Sequence, residues 1–270
     1  SVSTVNRVIN SPDKVRRDTR EHVLAVAQNS GFYGVGAIEY SVSSRREYHK
    51  LGVLLQQGSR TFYRDLAVAL RKAAKYAHEG NVDLELIHLE DLSPEHVAEQ
   101  LVSLGSRCES VALVAAEHPK VSDAIDVILG KNEPVAGLIA PLSARGNVGF
   151  VGLDNWKVGR TAAWAFDKII RTPGKIGILV GNHRYRNQEM NESGFRSYFR
   201  EHGREFTLLE PLSTYESSTI ARELTEKLFS QHPDLCGLFV SGGGITGALS
   251  ALRDRPANED FVSVGYELFD

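Results

Sequence analysis

The sequence predicts an α/β protein in which a short helical head precedes two doubly wound lobes, each built on a parallel β-sheet. From Leu51 onward, short apolar stretches alternate with amphipathic stretches of helical period, which is the pattern of strands joined by helices. The series runs to about residue 151 and then repeats, so two similar lobes with a cleft between them are predicted. At 270 residues the chain also exceeds the usual size of a single hydrophobic core.

Residues 1–10 predict the first helix of the head. Val2, Val5 and Ile9 are three and four residues apart, so they share one helical face. Off this stripe lie short polar side chains and one guanidinium, which belong to Ser3, Thr4, Asn6 and Arg7. Such groups can reach base edges and phosphates when a helix lies in the major groove. A solvated amphipathic helix would explain residues 1–10 equally well if they stood alone.

Turn and stop residues organise the rest of the head. A turn cluster at residues 11–13 leads into a second helix over residues 15–30, which Gly31 ends. Residues 34–50 are mostly polar and are predicted to be a linker. The head is therefore predicted to be a small separate module over residues 1–33.

Each lobe is predicted from its own series of strands and helices. The first lobe, residues 51–151, has predicted strands at 51–55, 82–89, 110–115, 134–139 and 149–153, and helices at 62–78, 94–104 and 121–129. The second, residues 152–270, has predicted helices at 158–170, 188–201, 219–231 and 245–252, and strands at 175–180, 206–209, 235–240 and 261–264. Ligands of open α/β sheets bind at the carboxyl ends of the strands, so the loops there are the candidates for a site.

Charge and motif content restrict the class of protein. Residues 1–50 hold eight Lys and Arg against five Asp and Glu, a net charge of +3. Since the whole chain has a net charge of −3, the remaining 220 residues together carry −6. A basic head on an acidic body fits a nucleic-acid-binding end. The two cysteines, Cys108 and Cys236, are far apart, and no CxxC, HExxH, GxSxG or P-loop pattern occurs. These observations predict a binding protein that is not an enzyme and uses no metal or cofactor.

Hydropathy gives a prediction for the compartment. No apolar segment approaches the ~20 residues of a membrane span, and the chain shows no signal peptide. The simplest interpretation is a cytoplasmic protein with no membrane partner.

The loop after the first predicted strand holds the strongest candidates for a ligand contact. Phe62 and Tyr63 start a helix beside Gln57 and Arg60, an arrangement that can stack on a sugar ring and bind its hydroxyls. The alternative is that one of the two rings packs beneath the loop. Later strand ends add weaker candidates. Glu117 and His118 follow the third strand, and the alternative for them is a solvated loop. Asp154 precedes a helix, and the alternative for it is helix capping.

In the second lobe, the connections between strands and helices are unusually polar or glycine-rich. The run His183–Glu189 favours ligand contact through Arg186 and Glu189, and Glu267 is similarly placed after the last strand. Gly242–Gly247 fits GxGxxG with Glu267 20 residues beyond, which is the pattern of an NAD-dependent enzyme. The motif comes too late in the chain to complete such a domain. A turn that lets a ligand approach the backbone at Gly242 is therefore favoured.

The head and the order of the lobes resemble the lactose-repressor (LacI) family of transcriptional regulators. Residues 1–10 are similar to the family's S-x-x-T-V-S-R-V-L-N recognition helix, with Asn6 where the family usually has Ser. Residues 15–32 resemble its third helix with a Gly-aromatic end. Segments at 154–159, 194–195 and 262–266 resemble its periplasmic-binding-protein-like core, so the resemblance covers essentially the whole chain.

The resemblance implies a homodimeric DNA-binding repressor controlled by a sugar or sugar derivative bound between the lobes. It places six side chains on operator DNA: Val2, Ser3, Thr4, Asn6, Arg7 and, near the backbone, Asn10. Phe62 and Tyr63 match sugar-stacking aromatics in placement. Positions near those that bind ligand hydroxyls are Asp154, Glu189 and Glu267.

The chain departs from the family pattern in several places. The first helix of the helix-turn-helix is absent, so the head is expected to be partial, and the hinge signature is replaced over residues 35–42. The usual Asn-Asp after the strand at 235–240 is Gly242-Gly243, and the chain stops at Asp270, so the second lobe is expected to be truncated. A sugar-binding transport protein, which has the same lobes without a head, is the alternative.

Overall fold

The computed structural model of the chain describes residues 1–43, 47–77, 80–202, 205–255 and 260–266. Over these residues the chain forms a helical head followed by two α/β lobes, and the strands of both sheets pair in parallel. The predicted fold class is confirmed. Among the described residues, no helix is both long enough and apolar enough to cross a membrane.

The head consists of three helices around one small core. They are α1 (Val2–Asn10), α2 (Arg17–Asn29) and α3 (Val35–Ser43), with a single 3₁₀ turn at Pro12–Lys14 between the first two. Gly31 has φ +62°, and this left-handed backbone ends α2 as predicted. Four buried side chains form the core: Val8, Ala27, Ile38 and Val42.

The linker predicted over residues 34–50 is corrected by the structure. α3 fills most of that segment, and the first strand already begins at Tyr48. Ile38 and Val42 are four residues apart, so they share one helical face and pack on Val8. The hydroxyl of Ser41, on the same helix, donates to the carbonyl of Val8 at 2.6 Å. The polar average of the segment concealed an amphipathic helix that joins the head to the first lobe.

The first lobe is a five-stranded parallel sheet in the order β2-β1-β3-β4-β5. Its strands are β1 (Tyr48–Gln56), β2 (Asn81–Leu89), β3 (Ser110–Leu113), β4 (Val135–Leu138) and β5 (Gly149–Val151). Its helices are α4 (Thr61–Lys75), α5 (Pro94–Gly105) and α6 (Pro119–Leu129). Residues of β1 alternate between two cores, because Leu54 packs on the α5 and α6 side, whereas Val53 and Leu55 pack on the α4 side.

The second lobe repeats this plan around another five-stranded sheet, in which β10-β9-β6-β7 lie in that order and β8 also pairs with β6. Its helices are α7 (Asn155–Ile169), α8 (Arg186–His202), α9 (Ser218–Gln231) and α10 (Ile245–Arg253). Its strands are β6 (Lys175–Val180), β7 (Thr207–Leu208), β8 (Leu212–Ser213), β9 (Leu235–Val240) and β10 (Val262–Gly265). The strand predicted at 206–209 is present as β7, and β8 is a further short strand that was not predicted; both pair with β6.

Candidate ligand-binding site

A cavity of about 260 Å³ lies between the lobes, where the carboxyl ends of the parallel strands meet. From the first lobe it is lined by Gln56, Phe62, Tyr63, Val114, Ile139 and Ala140. From the second lobe and the segment that joins it to the first, it is lined by Gly152, Leu153, Tyr185, Asn187, Gln188, Glu216, Gly242 and Tyr266. Most of this wall is apolar or aromatic, and a few polar groups converge on it, which is the usual make-up of a small-molecule site.

Two aromatic rings at the start of α4 form the first-lobe wall. Tyr63 is 6% exposed, and its ring meets that of Phe62 edge to face with 5.2 Å between centroids. The guanidinium of Arg60 lies 5.2 Å from the centre of the Tyr63 ring. These contacts hold Tyr63 rigidly, so it can present a fixed apolar surface to a ligand.

A buried hydrogen bond joins the lobes across the cavity. The side-chain amide of Gln56 donates to the hydroxyl oxygen of Tyr185 at 2.5 Å. Burial, followed by the negative charge of Glu216, raises the pKa of Tyr185 to about 12. The hydroxyl therefore stays protonated at neutral pH, and because it already accepts from Gln56 its hydrogen can be donated to a ligand.

The carboxylate of Glu216 forms the floor of the cavity. Its Oε2 lies 3.2 Å from Nη1 of Arg60, in the other lobe, and its Oε1 accepts from Nε2 of Gln188 at 2.8 Å. Tyr215 and Glu216 have φ of 51° and 62°, a left-handed backbone that costs most non-glycine residues free energy. Such strain persists only where the surroundings hold it, and here the ion pair and hydrogen bond do so.

Glycines make room for this carboxylate. A methyl group at Gly181 or Gly243 would collide with the carboxylate of Glu216, and one at Gly242 would collide with the amide of Gln188. The glycine-rich turn at 242–244 therefore admits protein side chains to the edge of the cavity, as well as exposing Gly242 to it.

One polar atom on the cavity wall is left without a partner. Asn187 is only 5% exposed, and its Oδ1 is buried without a hydrogen bond. A buried acceptor left unpaired costs about 1–3 kcal/mol, so most buried polar atoms in native proteins are paired. This atom lies beneath the surface of the cavity, so a ligand could donate to it only if the side chain turned.

Further contacts close the mouth of the cleft. The amide of Glu117 donates to the carbonyl of Arg184 at 2.9 Å, and Nη1 of Arg186 donates to the hydroxyl of Ser143 at 2.7 Å. The Arg186 guanidinium also lies 3.7 Å from Oε1 of Glu117. The lobes are thus held together by the loops that follow β3, β4 and β6.

The eleven residues predicted to bind the effector divide into four groups in the structure. Phe62, Tyr63 and Gly242 line the cavity. Arg60, Glu117 and Arg186 do not line it but make contacts between the lobes. Glu267 lies outside the described residues.

Four other predicted residues lie outside the cavity wall, each for a structural reason: Gln57, His118, Glu189 and Asp154. Gln57 is one residue too far along the chain, because Gln56 is the residue that reaches the cavity. His118 caps α6 by accepting the amide of Lys120 at 3.2 Å. Glu189 lies on an exposed part of α8, one position beyond buried Gln188.

Asp154 is a helix cap, which is the alternative the sequence left open. Its carboxylate accepts the amide of Lys157 at 3.2 Å at the start of α7. This hydrogen bond, followed by the Lys157 ammonium, lowers the pKa of Asp154.

Sequence reasoning missed several lining residues, among them Gln56, Tyr185, Asn187, Gln188, Glu216 and Tyr266. Three of these, Tyr185, Asn187 and Gln188, lie in or beside the polar run that pointed to this loop. Glu216 gave no signal, because β8 before it is only two residues long and does not stand out as a strand.

On the head, α1 presents a polar face to solvent. Ser3, Asn6, Arg7 and Asn10 are exposed, as is Val2, and Thr4 is half-buried. Asn10 donates to the side chain of Asn6 one turn earlier, and the helix begins with Ser1, whose hydroxyl accepts the amide of Thr4. All six predicted DNA contacts therefore lie on the outer part of one short helix.

Two α/β lobes around a cavity at their strand ends define a two-lobed ligand-binding protein. Residues 51–270 match the model for the periplasmic binding protein domain, and residues 1–34 match that for bacterial regulatory proteins of the lacI family. The chain belongs to the LacI family of DNA-binding transcription regulators, with a periplasmic-binding-protein-like domain as its ligand-binding part.

One relative in sequence and two solved structures are similar to this chain. The chain is 23% identical over 289 residues to the HTH-type transcriptional regulator IpsA of Corynebacterium glutamicum, across 99% of this chain and 79% of the relative. Its fold resembles GanP, a glucose-galactose binding protein from Geobacillus stearothermophilus, with a TM-score of 0.72 and 18% identity over 82% of this chain and 78% of that one. The periplasmic component of an ABC-type sugar transport system from Hahella chejuensis gives a TM-score of 0.72 and 22% identity over 82% and 80%.

Proposed function

We propose that this protein is a repressor whose affinity for operator DNA is controlled by a sugar-like effector bound in the cavity between its lobes. The observation that carries the proposal is the cavity itself, which is lined by an aromatic wall at Phe62 and Tyr63 and, from the other lobe, by the polar residues Asn187, Gln188 and Glu216. Sugar rings offer apolar faces to aromatic groups and hydroxyls to amides and carboxylates. The head on the same chain argues against a transport component.

A homodimer is part of the proposal. α1 spans nine residues and can reach only a few base pairs, whereas dimeric regulators gain specificity by reading two half-sites. The regulator would act in the cytoplasm, where operator DNA is found.

The connection between cavity and head supports coupling between the two. β1 runs from Tyr48 to Gln56, so it starts next to the head and ends at the cavity. α3 precedes it and packs on α1 through Ile38 and Val42. An effector that binds one arrangement of the lobes better than another would shift the position of the head, and operator affinity would change with it.

A ligand screen tests the effector part of the proposal. Thermal unfolding of the full-length protein would be measured with pentoses, hexoses, polyols and the phosphate esters of each. We expect at least one of these to raise the unfolding temperature, because a ligand that binds only the folded state stabilises it. If no compound in the screen changes the unfolding temperature, the sugar-like effector is wrong.

Arg7→Ala tests the DNA part. We expect operator affinity to fall by about 5- to 150-fold, the equivalent of about 1–3 kcal/mol for a lost specific arginine contact, while effector binding is unchanged. The operator would be selected from a random duplex library, and binding would be measured at several stated salt concentrations.

Arg253→Ala is the matched control, since it removes an exposed arginine from the end of α10 in the second lobe. It should leave DNA affinity unchanged. Selection of no sequence by the full-length protein would contradict the regulator, and equal loss in both variants would contradict the assigned face.

A further inference from the structure

We infer that the cavity selects an uncharged, hydroxyl-bearing ligand over its phosphate ester, and that Glu216 is the residue that sets this selectivity. The inference rests on the proposed function and narrows its effector class. Three features of the cavity support it: the charge of its wall, the direction of its hydrogen bonds, and the state of the helix ends beside it.

The wall of the cavity carries negative charge. Among the lining residues that the structure describes, Glu216 has an ionisable carboxylate, and none has an ammonium or guanidinium group. The guanidinium nearest this carboxylate, that of Arg60, lies 3.2 Å from Oε2 and is paired with it. A phosphate in the cavity would therefore lie near a carboxylate, and it could pair with Arg60 only by displacing that carboxylate from its ion pair.

The hydrogen-bonding groups of the floor suit a neutral hydroxyl. The Glu216 carboxylate can only accept hydrogen bonds, and the hydroxyl of Tyr185 can donate one. A neutral hydroxyl both donates and accepts, so a polyol can pair with both groups. The phosphate group of an ester, as a dianion, has no hydrogen to donate to the Glu216 carboxylate.

The amides at the helix starts beside the cavity are partly used within the fold. Helix N-termini bind phosphate through amides that lack a partner. At the start of α4 the amide of Tyr63 already donates to the carbonyl of Arg60, and near the start of α8 that of Gln188 donates to the carbonyl of Tyr185. These two bonds leave fewer amides at the helix starts for a phosphate.

Glu216 is held in a conformation that suits this role. Its left-handed backbone, its ion pair across the cleft and the space left by Gly181 and Gly243 all place the carboxylate at the floor. A loop residue that was simply exposed to solvent would need none of these features.

The test compares each neutral sugar or polyol with its own phosphate ester by calorimetric titration of the full-length protein. We expect the neutral compound that binds best to bind at least about tenfold more tightly than its ester. In Glu216→Gln, which removes the charge and releases Arg60 from its ion pair, the ratio of the two affinities should fall by at least about tenfold.

The matched control is Glu210→Gln, because Glu210 is a 91% exposed carboxylate in the same lobe, away from the cavity wall. It should leave the ratio unchanged. The wild-type comparison needs no variant, so it decides whether the cavity prefers the neutral compound even if Glu216→Gln unfolds.

The outcomes separate the inference from the function on which it rests. If an ester binds the wild-type protein as tightly as the neutral compound, the inference is wrong and the sugar-like effector stands. If the ratio is the same in Glu216→Gln and wild type, the assignment to Glu216 is wrong. If no compound of either kind binds, the proposed effector class itself is wrong.

Discussion

Tyr63→Ala is expected to abolish the thermal shift caused by the effector and to lower its affinity by at least about 100-fold. Tyr63 is buried at the cavity wall, and its ring is fixed by Phe62 on one edge and by the guanidinium of Arg60. Rigid, desolvated aromatic residues at the centre of a site commonly account for more than about 2 kcal/mol of binding free energy, and about 2.7 kcal/mol corresponds to 100-fold.

Two companion variants separate binding from folding. Tyr63→Phe keeps the ring and should retain most of the affinity. Tyr76→Ala removes a 60% exposed tyrosine just after the same helix and should bind the effector like wild type.

The unfolding temperature of each protein without ligand shows how much stability the truncation costs, since Tyr63 also belongs to a core cluster. Normal effector binding by Tyr63→Ala would mean that the ligand does not use this wall of the cavity.

Much of the fold was predictable because buried parallel strands are apolar along their whole length. Leu51–Leu55 and Leu235–Val240 are continuous apolar stretches, and they lie within the central strands β1 and β9. Helix starts were predictable where capping residues mark them, as Ser93 before Pro94 does for α5.

The elements that were missed have weak local signals. α3 is amphipathic, but its buried face is short: Ile38 and Val42 are buried, Val35 is half-buried, and their partner Val8 is distant in sequence. β8 has two residues, which is too short for a periodic pattern to be recognised. Tertiary packing decides such segments more than local sequence does.

The candidate site was predictable as a location more than as a set of side chains. The strand ends identify the loops, but charge is a poor guide to the side chains within them. Arg186 and Glu189 are the residues predicted to bind, whereas their neutral neighbours Asn187 and Gln188 line the cavity. The helical geometry of α8 turns successive residues by about 100°, so neighbours in sequence face different directions. Roles in binding for the residues on the wall stay predictions until the variants are measured.

The floor of the cavity depends on the core of the second lobe, and Phe195→Ala is expected to show this. Phe195 is fully buried, and its ring stacks on Phe239 with 4.6 Å between centroids. It also meets Phe166 and Phe199 edge to face, at 5.5 and 5.3 Å. Removing the ring should lower the free energy of unfolding by about 3–5 kcal/mol, because a cavity remains among the three aromatic side chains that surrounded it.

Tryptophan fluorescence gives a direct measurement for this lobe. Both tryptophans of the chain, Trp156 and Trp164, lie on α7, so urea unfolding followed by their emission reports the second lobe. Ile169→Ala is the matched control, since it truncates a 59% exposed residue on the same helix and should change stability by less than about 1 kcal/mol.

The same variant is expected to weaken effector binding without touching the ligand. Asn187 and Gln188 lie eight and seven residues before Phe195 on α8, about two helical turns away. A loosened α8 would hold the Asn187 acceptor, and the Gln188 amide that fixes Glu216, less firmly, so a lower affinity should accompany the lower urea midpoint. A urea midpoint equal to that of wild type in Phe195→Ala would mean that the aromatic cluster does not hold α8 in place. A lowered midpoint with unchanged effector affinity would mean that the cavity floor does not depend on this core.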